Sequence, residues 1–315
     1  MRVIIFNPSS IDSTIAAAIL SSFTGIETYA VGRPLSPFTN FIYFFWVGVK
    51  PSEEFLNTHK GSHIGFYGDI DIPSYMHKKM TLHTPTAFQD GEYVIPAVYS
   101  LIWSITDWIY ESLSTKNEVE SYKKLTLEKH LSQIRALSLA VEDFEIKNQR
   151  VSLTTQAVVW ASYTASLINL TLDSTELITK TLIYPEDYAR TKVNNFFKYK
   201  EDKYSYKEEL KNPLVVDYLR HLKMVKYRIE KTITIANIPV SGHRDDLAVP
   251  IFSVEMELMP WVIRLARLRY STVVCSEVCN GRTIHSISST EALVVEWIKK
   301  FINKPSVGYV DIYEG

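Results

Sequence analysis

Four apolar residues, Val3-Ile4-Ile5-Phe6, open the chain and stop at a polar turn, Asn7-Pro8-Ser9-Ser10. The run is rich in β-branched and aromatic side chains and predicts a strand. From Ile11 to Phe23 the apolar positions are carried on small residues, with Ala16, Ala17 and Ala18 at their centre, and predict a helix. A second strand is expected over Ile42 to Val49 and a third over His63 to Tyr67. After the second, Lys50-Pro51-Ser52-Glu53-Glu54 has the proline and the acidic first turn that helix starts prefer. Strands alternating with helices predict a parallel sheet, and sites in such sheets lie beyond the carboxyl ends of the strands. The turns after Phe6, Val47 and Tyr67 are therefore expected side by side.

The pattern changes along the rest of the chain. Residues 95 to 182 read mostly as helix, with "VWASYTASLINLTL" a buried one. "FFKYKEDKYSYKEELK", residues 196–211, is charged and tyrosine-rich and reads as an exposed helix or linker. "KTITIANIPV" predicts a strand entering a loop at Pro239, and "SVEMELMPWVIRLARL" a helix interrupted near Pro260. "RYSTVVCSEV" and "RTIHSISS" predict a strand pair around Cys279-Asn280-Gly281. "STEALVVEWIKKFIN" is an amphipathic helix capped by Ser289 or Thr290, with Glu291 in its first turn. The expectation is an α/β protein: a parallel-sheet N-terminal domain with a helical segment over 1–195, a charged helical linker over 196–230, and a smaller C-terminal α/β module over 231–315.

Composition narrows the classes. Of 315 residues, 46% are apolar and 22% charged, ordinary for a globular chain with a normal core. A formal net charge of −1 supplies no global field for nucleic acid or an anionic membrane. The apolar stretch around Phe41 to Val49 is far short of the roughly 20 residues of a membrane span, and the run after Arg2 is too short for a secretory leader. Cys275 and Cys279 are badly spaced for a disulfide and too few for a zinc site. Reduced cysteines and a cytoplasmic location, with no membrane, are the expectation.

The order of these pieces resembles the DHH phosphoesterase superfamily, which holds single-strand nucleases, nano-RNases, cyclic-dinucleotide phosphodiesterases and inorganic pyrophosphatases. "FNPSSIDSTIAAAIL" resembles its first motif, with Ser10 in the first acidic position and Asp12 in the second. "FIYFFWVGVKPSEEFL" has the strand, proline and helix of the second motif, but Trp46-Val47-Gly48 stands where an aspartate belongs. "HIGFYGDIDIP" supplies Tyr67-Gly68-Asp69 in place of Asp-His-His, and "LAVEDFEI" supplies Asp143-Phe144 for the fourth. "IANIPVSGHRDDLAVP" is similar to a segment of the family's accessory domain, while the Gly-rich, His-containing substrate loop is missing. Another doubly wound fold would share the same opening.

The resemblance implies two Mn²⁺ or Mg²⁺ ions held by four aspartates and one or two histidines. Paired metals clamp the attacking and leaving oxygens of an in-line displacement, and hard cations need oxygen ligands. Of that set Asp12, Asp69 and Asp143 remain as candidate metal ligands, with Asp71 and His63 nearby. Three carboxylates suffice for one metal held weakly, not two. Each residue also has a plainer role: Asp12 as a helix cap, Asp69 and Asp71 as turn residues before Pro73, Asp143 as a solvated acid, and His63 as a packed strand residue.

Backbone N–H groups at the start of the first helix, with Asn7, Ser9, Ser10 and Ser13, form a candidate anion site. His243 and Arg244 are candidates to face a phosphate across a domain cleft, or else belong to a surface loop. "HRD" at 243–245 lacks the other kinase motifs. Tyr99, Trp103, Trp108 and Tyr110 read as core before base-stacking platform. The expected function is a catalytically impaired DHH-like protein that binds a nucleotide, a nucleic-acid end or a protein partner. The alternative is an active phosphodiesterase or nuclease with a rearranged metal site.

Overall fold

The computed structural model describes residues 2–24, 26–30, 43–49, 64–67, 80–82, 97, 137–141, 143–144, 151–171, 206–238, 247–279 and 282–302. The N-terminal part holds five strands: β1 (Arg2–Phe6), β2 (Glu27–Ala30), β3 (Tyr43–Val47), β4 (Ile64–Tyr67) and β5 (Met80–Leu82). They form one sheet in the order β2-β1-β3-β4-β5, and every pairing is parallel. β1 is an interior strand, and Val3 to Phe6 are essentially inaccessible to solvent, which is why that strand reads as an unbroken apolar run.

Helix α1 (Ile11–Thr24) crosses from β1 to the edge strand β2. Its Ala16, Ala17 and Ala18 are all buried, so the helix is enclosed nearly all round, and methyl side chains let its neighbours approach closely. One neighbour is α2 (Leu153–Thr171), which packs along it. The chain leaves β1 toward β2 on one side and later adds β3 on the other. The order therefore reverses between β1 and β3, and the carboxyl ends of these two strands flank the crevice where doubly wound sheets bind ligands. Phe6, Val47 and Tyr67 stand in register at that end on three adjacent strands, as expected of three neighbouring turns.

A short helix α3 (Tyr206–Glu209) precedes α4 (Pro213–Thr232). Asn212 caps α4, its side chain accepting from the Leu214 N–H at 2.9 Å, and Pro213 takes a first-turn position where no N–H is needed. The charged stretch thus continues into a packed helix. Leu214, Val215, Tyr218 and Val225 are buried, against α2 and α5 (Met259–Ala266), while its cations face water.

α4 runs directly into β6 (Ile233–Ile238), the edge of a second sheet ordered β6-β7-β8-β9, with β7 (Leu247–Ser253), β8 (Thr272–Cys279) and β9 (Arg282–Ser289). β6–β7 and β8–β9 are antiparallel, and the parallel seam between β7 and β8 covers Ile251 to Ser253 only. Pro250, which has no N–H to give, lies just before that seam. One face of this sheet, with Phe252, Val273 and Cys275, shares a cluster with α4, α5, α2 and α1. The other, with Ile238, Val249 and Val274, packs on Val294 and Ile298 of α6 (Ala292–Phe301).

Two expected boundaries move. Pro260 does not interrupt a helix but lies in the first turn of α5, after a 3₁₀ turn at Met256–Leu258. At α6 the capping position is Glu291 itself, and the Ser289 hydroxyl accepts from the Glu291 N–H at 3.1 Å.

Candidate functional site

The crevice between β1 and β3 is closed by the first turn of α1. Asn7 and Ser9 are buried, and the Asn7 amide oxygen accepts from both the N–H (3.0 Å) and the hydroxyl (2.9 Å) of Ser9. The Ser10 N–H returns to the Asn7 carbonyl at 3.1 Å, which makes residues 7–10 a hydrogen-bonded turn. Ser10 is the helix cap: its hydroxyl accepts from Ser13 N–H at 3.2 Å and its carbonyl from Thr14 N–H at 3.1 Å. The cap is therefore not Asp12, which lies inside the first turn.

Ser13 is fully buried and joins the two strand ends. Its hydroxyl accepts from the Asn7 N–H at 2.8 Å and donates to the Val47 carbonyl at 2.5 Å. Gly48, directly after β3, has φ +59° and packs against Ser13. A hydroxyl and a left-handed glycine thus fill the space between the two strand ends. Asp12 is half-buried, and its Oδ2 accepts from the Ala97 N–H at 2.5 Å.

Asp143 lies in a helical stretch whose next residue, Phe144, is fully buried. The Arg264 guanidinium donates to the Phe144 carbonyl at 2.6 Å and lies 3.6 Å from the centre of the Phe144 ring. Asp69, Asp71 and His63, with His243 and Arg244, fall outside the described residues.

Sequence reasoning misses an aromatic cluster at the base of the turn. Trp261 of α5 meets Phe144 (5.7 Å between ring centres), Tyr163 (6.1 Å), Tyr218 (5.9 Å) and His221 (5.5 Å). The Tyr163 hydroxyl donates to the Pro8 carbonyl at 2.8 Å, tying α2 to the turn. Trp261 thus touches both the stretch that carries Asp143 and the side chain that holds Pro8. The signal lay in the spacing: Trp160 with Tyr163, and Tyr218 with His221, are each three apart, which places each pair on one helix face. Burial pushes the Tyr218 phenol up to about 12, opposed by the Arg264 charge, and pushes His221 down to about 4.

The described donors do not make a metal cage. Among the described residues no three His, Cys, Asp or Glu side chains come together. The oxygens of Asn7, Ser10 and Ser13 are engaged within the turn, and Ser13 needs its proton for the Val47 carbonyl. Two dications require several anionic oxygens in one place. What the turn offers is a rigid rim of neutral dipoles.

No family model matches the sequence, and no curated protein matches it. Among solved structures, the chain is similar to CDC45 from Entamoeba histolytica, with a TM-score of 0.38 and 10% identity over 96% of this chain and 86% of that one. It is similar to RecJ from Thermus thermophilus in complex with Mg²⁺, with a TM-score of 0.32, 11% identity and 98% of this chain covered, and in complex with Mn²⁺, with a TM-score of 0.36, 10% identity and the same coverage. The chain spans 46% and 48% of the length of those two RecJ chains.

Proposed function

We propose that this chain is a catalytically impaired, DHH-like protein that acts by binding. One observation carries the reading: Ser13 bridges Asn7 N–H and the Val47 carbonyl across the β1/β3 crevice, with Gly48 packed behind it. A crevice filled by a buried hydroxyl has lost the charge that a two-metal site needs, yet it keeps a helix start suited to a phosphate-containing ligand. Asn7, Ser9, Ser10 and Ser13 shape that start, Asp12 lies in it, and Asp143 precedes Phe144, which packs on Trp261. The ligand classes are a nucleotide or a nucleic-acid end, with a protein partner as the remaining one. In this reading the parallel sheet and helical segment form the binding domain over 1–195. The stretch 196–230 connects it to a smaller module over 231–315, in which His243 and Arg244 are the proposed phosphate-binding residues.

The test is calorimetric titration of the purified protein with Mn²⁺, with hydrolysis assays on short oligonucleotides, cyclic dinucleotides and pyrophosphate. No pair of tight Mn²⁺ sites and little or no turnover are expected. Metal-dependent turnover that vanishes in both Asp12→Ala and Asp143→Ala would establish the alternative, an active phosphoesterase with a rearranged metal site.

A further inference from the structure

His221 projects from α4 between two indoles. Its ring centre lies 5.3 Å from that of Trp160 on α2, with the rings tilted 34°, and 5.5 Å from that of Trp261 on α5, nearly perpendicular at 85°. The His221 Nε2 is buried and has no hydrogen-bond partner among the described residues, and the same holds for the indole nitrogen of Trp261. Trp261 leans on Tyr163, and Tyr163 holds the Pro8 carbonyl. A chain of packed rings therefore runs from α4 to the turn at residues 7–10. All three helices meet at this cluster, and interiors packed this closely transmit displacement rather than absorb it.

We infer that His221 is a proton-operated latch: its protonation parts α4 from α2 and α5 and, through Trp261 and Tyr163, releases the 7–10 turn. The latch rests on the geometry alone, and its bearing on ligand binding rests on the function proposed above. Burial of the ring, rather than a neighbouring charge, favours release. On its own helix, Asp217 lies one turn earlier and is paired with Arg220 at 3.3 Å, and Tyr218 lies on the same face. α2 carries no acidic or basic residue along its length. α5 brings Arg264, close enough to Tyr218 to act on its phenol, and Arg267 caps its end. An imidazolium here would lose water between two indoles, opposed by the attraction of the indole faces for a cation and by the Asp217 carboxylate one turn earlier.

Burial favours the neutral ring, with His221 titrating at about 4 in the folded chain against an ordinary 6.5. The folded state binds the proton less readily than the unfolded one. The stability this contributes is complete above about pH 6.5 and is lost as the pH falls toward 4.

The experiment follows the histidine ring signals of the full chain by NMR from pH 7.5 downward, with His221 assigned from its absence in His221→Phe. Amide exchange at Ser9, Ser10 and Ser13, corrected for intrinsic rates, is measured at pH 7 and pH 4 in both proteins. A wild-type ring that titrates below pH 5 is expected. Protection at the three serines should fall at least about tenfold, the linkage carried by one unit of pKa, while His221→Phe keeps it. A ring that titrates at or above 6.5, or an equal loss of protection in His221→Phe, overturns the latch. His221→Leu serves in the same comparison if the phenylalanine variant does not fold. Pyrophosphate titration at pH 7 separates the two readings: its failure to bind counts against the proposed function, and the exchange result alone decides the latch.

Discussion

A Cβ placed on Gly48 would lie 3.0 Å from the Cβ of Ser13, tighter than nine in ten such contacts. The glycine also holds φ +59°, a conformation that costs an L residue roughly 1–2 kcal/mol. Two independent reasons therefore require glycine at this strand end. Gly48→Ala is expected to lower stability by about 2 kcal/mol or more, read as a reduced urea midpoint at unchanged m-value. Gly48→Asp, which places a carboxylate at the end of β3, is expected to destabilise similarly without creating a tight Mn²⁺ site in calorimetry. An alanine variant as stable as the parent would show that Ser13 yields freely.

Ser13→Ala removes one hydroxyl and leaves two backbone groups short of a partner, the Asn7 N–H and the Val47 carbonyl. Abandoned buried polar groups cost about 1–3 kcal/mol, so the midpoint should fall by a corresponding amount. Tyr163→Phe removes only the bond to the Pro8 carbonyl and keeps the ring on Trp261, so about 1 kcal/mol is expected. If the two variants lose equal stability, the bridge between the strand ends has no special weight.

Cys275 is fully buried in β8, and burial raises its thiol far above the ordinary range. The thiolate is the reactive form. In a Cys279→Ser background, a chromogenic disulfide reagent at pH 8 should leave Cys275 unmodified in the folded protein and label it fully in denaturant. Rapid labelling of the folded protein would place the thiol at the surface and contradict the packing of β8 on α5.

The interior strands were legible from their apolar runs: β1 buries Val3 to Phe6, and β3 buries Phe44, Trp46 and Val47. β2, "ETYA", and β5, "MTL", are short edge strands whose sequences carry no comparable signal. β7 was hidden by Pro250, which ordinarily argues against a strand between two neighbours; here the proline lies just outside the shared ladder. α4 read as linker because its cations outnumber its core contacts in the sequence, and only the buried Leu214, Val215, Tyr218 and Val225 reveal the packed stripe. At the site, the serines of the first turn stood out by residue type. Residue type could not say that their hydroxyls bond one another and the strand ends. That depends on Val47 and Ser13, thirty-four positions apart.

The short seam at Ile251 to Ser253 makes the second sheet two hairpins stitched together rather than one fabric. Each hairpin is built from residues near one another in the chain, and little loop entropy is lost in closing it. The seam joins segments that α5 separates in the chain. The second sheet is thus two ladders of local pairings, with α5, the helix that also carries Trp261, between them in the chain. A pull that separates its halves meets three paired residues at the seam, against six and eight within the two ladders.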